Sequence, residues 1–228
     1  MSKAPTNSNK RRVLSVIDEF VHLTNEFVHD LALPKHTHNW ACKQTAALRK
    51  EGLLECGRLA DGRAWLRATP TAQRLLGVPI RRHRDKGEAR RLGDLAIVEH
   101  CLNNSPRLRR IRVKQQLDYL TDVPEESLKR PICLAPDTGV LDLVFVRCDV
   151  EVAAITRDCW KYVKWLTAHP SAQKLLAAKK LRLVVITATR SYAAEIQAAL
   201  DRGPAWPLPR LVLSCPLLMQ LHLISKRD

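Results

Sequence analysis

Residues 54–70, LECGRLADGRAWLRATP, leave the backbone few choices. The runs LLECGRL and RAWLRAT each alternate between apolar and polar residues, and Asp61-Gly62 lies between them. Alternation at period two predicts strands, and Asp-Gly tolerates the positive φ of a tight turn, so a hairpin is expected. Thr69 then offers an N-cap hydroxyl. Pro70 falls at the first helical position, where its missing N–H costs nothing, so a helix restarts over TPTAQRLL. Upstream, the spacing of Val13, Val16, Ile17 and Phe20 predicts an amphipathic helix over Arg11 to Leu23. Asn25 can cap a second helix, EFVHDLAL, which stops near Pro34. A third runs from about Thr37 to Glu51, with Ala41, Thr45 and Leu48 on its inner stripe and Gly52 just past its end.

The 228 residues hold 38 Lys and Arg against 23 Asp and Glu, a net charge of +15. That imbalance predicts attraction to polyanions, most simply DNA or RNA. Three helices followed by a two-stranded hairpin make a winged helix-turn-helix, expected over residues 10–79 behind a disordered tail, 1–9. Its third helix enters a major groove and its hairpin is the wing. Asn39 and Gln44 suit adenine edges, Lys43 suits guanine or phosphate, and His38 faces the groove or solvent. Arg49 and Lys50 are phosphate contacts or solvated surface. Arg58 and Arg63 flank the wing tip, where a phosphate backbone or minor groove would lie. His36, His38 and Cys42 lack the second ligand pair that zinc requires, so no metal site and no cofactor is expected.

Seven scattered cysteines without a C-x-x-C predict reduced thiols in a cytoplasm. The N-terminus MSKAPTNSNKRR has no apolar stretch of a signal peptide, and no apolar run approaches the roughly 18 residues of a membrane span. With eight glycines and neither a P-loop nor G-x-G-x-x-G, nucleotide-fold signatures are missing. IRRHRDKGEARR, 80–91, reads as a basic linker or a solvated helix start. A long helix follows it through Leu92, Leu95, Ala96 and Glu99 to Leu102.

The remainder, 92–228, predicts an α/β sandwich with a mixed sheet, making the whole chain α+β. TGVLDLVFV and VEVAAIT are expected to pair as a hairpin of core strands. RDCWKYVKWLTAH and SAQKLLAAKK predict helices, LRLVVITAT a buried strand, and YAAEIQAAL a helix capped by Ser191. PRLVLS closes as a strand and PLLMQLHLI as a helix.

That order resembles the PD-(D/E)xK nuclease-like core, in which an acidic residue opens one strand and E-x-K sits on the next. The resemblance implies a Mg²⁺ site built from Asp137 of APDTG, or Asp142 of VLDLVFV, together with Glu151. Glu99, or Glu88, would be the additional acid on the preceding helix. The lysine position is Ala153, which departs from the pattern and marks the domain as degenerate unless Lys161 or Lys164 takes over. A winged helix joined to such a domain resembles the replication-relaxation proteins of plasmids and integrative conjugative elements. The resemblance rests on LRKEGLL, TPTAQRLL and VEVAAIT followed by WKYVKWL. It implies a non-enzymatic, dimeric binder of double-stranded DNA, acting in transcriptional regulation or in replication or transfer alongside other proteins of the element. The alternatives are a Mg²⁺-dependent nuclease targeted by the winged helix and a scaffold that docks a protein through its basic face.

Overall fold

The computed structural model describes residues 8–80, 87–128, 130–148 and 150–219. The fold is mixed α+β, and the chain divides into two compact units, Met1–Val98 and Glu99–Asp228. Of the expected tail, residues 1–7 lie outside the described residues, while Ser8 and Asn9 already belong to the first helix.

The first unit begins with α1 (Ser8–Phe20), α2 (Asn25–Ala32) and α3 (His38–Lys50). Val13, Leu14, Ile17 and Phe20 turn one face of α1 into the core, where they join Leu23, Val28, Ala41, Leu48 and Leu66. Thr24, rather than Asn25, caps α2 by accepting from the Phe27 N–H at 3.4 Å. Thr37 caps α3 by accepting from the Trp40 N–H at 3.3 Å. Gly52, at φ +69°, takes the left-handed conformation that ends the helix.

The chain then runs through β1 (Leu54–Arg58) and β2 (Ala64–Ala68), an antiparallel pair with Gly57 opposite Trp65. Gly62, at φ +84°, closes the turn by donating to the Leu59 carbonyl at 2.9 Å. Leu23, between α1 and α2, bridges to Leu66 of β2: each N–H donates to the other's carbonyl, at 3.1 and 2.7 Å. The hairpin is thereby fastened to the helices by backbone as well as by packing. Helix α4 (Pro70–Leu76) starts on the Thr69 cap and stops at left-handed Gly77. The Gln73 amide donates to Asp18 at 2.8 Å, tying α4 to α1 inside the core.

Of the expected linker, residues 81–86 lie outside the described residues. From Gly87 the chain is in α5 (Gly87–Leu102), so the end of the expected linker is a helix start, and the division between the units falls within this helix.

The second unit is built on a five-stranded sheet of order β3 (Arg109–Ile111), β4 (Ile132–Leu134), β5 (Leu141–Val146), β6 (Leu181–Thr187) and β7 (Arg210–Ser214). The pairs β3–β4 and β4–β5 are antiparallel, whereas β5–β6 and β6–β7 are parallel. Between β3 and β4 the chain makes a short helix, α6 (Val113–Gln116). Helices α7 (Val152–Leu166) and α8 (Pro170–Ala177) connect β5 to β6, and α9 (Arg190–Arg202) connects β6 to β7. Six of the seven β6 residues are buried, as a strand covered on both faces requires. Leu141, Leu143, Phe145, Leu183 and Val185 share a core with Ile155, Cys159 and Val163 of α7 and Ile196 and Leu200 of α9. On the opposite face, His100 and Cys101 in the last turn of α5 meet Asp142 and Cys133.

Two expectations are corrected here. VEVAAIT is not a strand paired with β5: Glu151 is the N-cap of α7 and the helix starts at Val152. Val152, Ile155, Cys159, Val163 and Leu166 continue one helical stripe, and a parallel β5–β6 pair needs a crossover helix where a hairpin would allow only a turn. The cap of α9 is Thr189, which accepts from the Tyr192 N–H at 3.1 Å, rather than Ser191. The closing segment begins as a 3-10 turn, Pro216–Leu218, and residues 220–228 lie outside the described residues.

Candidate nucleic-acid interface

Helix α3 is a solvent-facing cylinder with one anchored edge. Ala41, Thr45 and Leu48 are buried, and the Thr45 hydroxyl donates to Asn25 Oδ1 at 2.7 Å. Side chains recur every three or four residues on one helical face, so Asn39, Lys43, Ala46 and Lys50 align opposite that stripe. All four are exposed. His38 and Arg49 are exposed along one flank, and Gln44 is half-buried along the other. The expected reading residues therefore divide. Asn39, Lys43 and Lys50 form the outward ridge, while His38, Gln44 and Arg49 lie beside it.

The loop that presents α3 is held by paired histidines. His29 meets Asp30 Oδ1 through Nδ1 at 2.8 Å and the His36 carbonyl through Nε2 at 2.8 Å. Both partners are acceptors, so an imidazolium donating from both nitrogens satisfies them together. The Asp30 hydrogen bond, then the His36 carbonyl, raise its pKa above the ordinary histidine value. The His36 ring stacks on Trp40 at 4.0 Å. His38 lies 3.8 Å from the Cys42 thiol, a two-residue contact. Among the described residues no group of three His, Cys, Asp or Glu side chains is placed to hold a metal ion.

At the hairpin tip, Arg58 is exposed and Arg63 is half-buried. The Arg63 guanidinium is drawn onto Asp61, Nε donating to Oδ2 at 2.5 Å, so Asp61 partly neutralises one of the two expected wing cations. On the strands, Arg67 pairs with Glu55. Trp65 lies over Gly57, where an added methyl would sit 2.5 Å from Cζ2. The Arg91 guanidinium stacks over the Trp65 ring at 4.8 Å. Against the edge of the same ring stands buried His22, whose Nδ1 is 2.9 Å from buried Asp94. This Trp65–His22–Asp94 cluster joins residues up to 72 positions apart, and no local pattern announces it.

The carboxylates of the nuclease resemblance do not assemble. Asp142 is buried and occupied: Arg182 donates to both its oxygens at 2.8 Å, and His100 Nε2 to Oδ2 at 3.0 Å. Burial pushes that carboxyl upward, but the His100 and Arg182 hydrogen bonds and charges outweigh it, and its pKa lies below the ordinary aspartate value. Asp137 is exposed in the turn leading into β5, and Glu151 is exposed just beyond the other end of that strand. Glu99 accepts from the Cys215 thiol at 3.3 Å. Glu88 is in the first turn of α5 and accepts from the Ala60 N–H at 2.8 Å, in the first unit. Ala153, Lys161 and Lys164 are all on α7, the two lysines exposed. These residues do not fit a Mg²⁺ site.

No protein family, curated protein or solved structure matches the chain in sequence or fold.

Proposed function

We propose that the first unit is a winged helix-turn-helix that binds double-stranded DNA, with α3 as the reading helix and β1–β2 as the wing. The observation that carries this is the exposed Asn39–Lys43–Lys50 ridge set opposite a buried Ala41–Thr45–Leu48 stripe. A helix anchored along one edge and basic along the other is built to lie on a polyanion. The Leu23–Leu66 bridge supports the same reading, because it fixes the hairpin against the helices, as a wing beside a groove-bound helix must be fixed.

The protein is, in this proposal, non-enzymatic and dimeric. It reads one half-site per protomer and acts in transcription, replication or transfer of a mobile element. The mobile-element setting and its partner proteins rest on the sequence resemblance alone. Among the described residues no helix is long and apolar enough to cross a membrane, and the seven cysteines are unbonded, which suits a reducing cytoplasm.

The test is to sequence the DNA fragments that co-purify with the protein and to measure anisotropy on the enriched duplex and on a scrambled one. Asn39→Ala is expected to reduce the preference between them by about 1–3 kcal/mol, the worth of one bidentate base contact. Equal affinity of the wild type for both duplexes would remove α3 as a sequence reader.

A further inference from the structure

Two arginines gather where the parallel strands of the second unit end. Arg147 directly follows β5 and donates its backbone N–H to Ile186 at 2.9 Å. Arg130 directly precedes Pro131, whose carbonyl accepts from the Val144 N–H at 3.0 Å, so it comes alongside the same end of β5. Phe145 faces α7, and Arg147, two residues on, points to the same side, with Nη2 at 3.5 Å from Asp158 Oδ2 of α7. The Arg130 guanidinium lies 4.5 Å over the Phe145 ring. That ring meets Tyr162 of α7 edge-on at 5.6 Å.

Among the described residues the charges in this group do not balance. Among the described residues Arg130 has no hydrogen bond or ion pair, and the carboxylate near it, Asp158, is engaged by Arg147 at 3.5 Å. The Tyr162 hydroxyl is buried and makes no hydrogen bond among the described residues. A buried hydroxyl and a half-buried guanidinium left without acceptors are each costly, and native proteins satisfy such groups with a partner. Burial, and then repulsion from Arg147, lower the Arg130 guanidinium from its ordinary value. Burial pushes Tyr162 up to about 12, so its hydroxyl stays a donor.

We propose that Arg130, Arg147 and Tyr162 form a binding site for a phosphoryl group. Two planar guanidinium forks and a hydroxyl supply donors for three oxygens, and the surplus positive charge among the described residues suits a dianion better than a second carboxylate. The phosphomonoester could come from a free nucleotide or from a DNA 5′ end. The site lies wholly within Glu99–Asp228 and does not depend on the function proposed for the first unit.

The experiment is calorimetric titration of the full-length protein with inorganic phosphate, against chloride at equal ionic strength. Wild type is expected to bind phosphate. Arg130→Met, which keeps an apolar stem over Phe145, is expected to weaken binding roughly tenfold or more. Tyr162→Phe removes only the hydroxyl; it is expected to weaken binding several-fold while the ligand-free protein melts no lower than wild type. Adenosine monophosphate and a 5′-phosphorylated oligonucleotide, each beside its unphosphorylated counterpart, identify the source by which one binds more tightly than inorganic phosphate. Phosphate binding indistinguishable from chloride, or unchanged by both substitutions, would overturn the site. If Arg130→Met does not fold, Tyr162→Phe decides alone.

Discussion

Asp142 is a buried carboxylate on which two cationic or donor side chains converge. It is a buried anion held by Arg182 and His100, so removing its charge leaves Arg182 half-buried without its carboxylate. Breaking a buried pair by deleting one partner typically costs about 3–5 kcal/mol. Arg182 is partly exposed, which places Asp142→Asn at the lower end, about 3 kcal/mol, read by urea denaturation at neutral pH. The sign with pH follows from its depressed pKa. A carboxyl that ionises more readily in the folded state stabilises it above the unfolded aspartate value, about 3.9, and that contribution fades as pH falls through the folded-state pKa. The wild type should therefore lose stability on acidification more steeply than Asp142→Asn. Parallel pH profiles of the two would show that the ion pair is not formed.

At the scale of elements, the hairpin depends on one contact that composition does not reveal. Gly57 takes no left-handed conformation; it is glycine because Trp65 of the paired strand lies across it. Gly57→Ala is expected to destabilise the first unit by about 1–3 kcal/mol, as overpacking does, visible in the denaturation midpoint and in Trp65 fluorescence. A midpoint equal to wild type would mean that the ring does not cover Gly57. Elements written in adjacent residues were legible: Thr69-Pro70 as a helix start, Asp61-Gly62 as a turn, Gly52 as a helix end, and the inner stripe of α3. The start of α7 was misread because Val150, Val152 and Ile155 have strand composition, and the helical stripe shows only when followed to Leu166. Three-residue β4 is too short to carry a period, and its existence depends on β3 and β5 beside it. Among the candidate site residues, the outward ridge of α3 followed from helical spacing. The withdrawal of Arg63 onto Asp61 and the engagement of Asp142 by Arg182 did not, because each is decided by which partner the fold brings near.

At the scale of the whole molecule, the net charge of +15 predicts attraction to any polyanion but does not say which surface makes the contact. Counterion release separates the two questions, because each phosphate neutralised by a lysine adds about one to the slope of log K against log salt. The most direct measurement is therefore the salt dependence of duplex binding by the full-length protein and by Lys43→Ala/Lys50→Ala. Binding through the outward ridge of α3 predicts a slope smaller by about two in the double variant, with lower affinity at every salt concentration. An unchanged slope and affinity would contradict the account, because the duplex would then lie on some other surface of the protein.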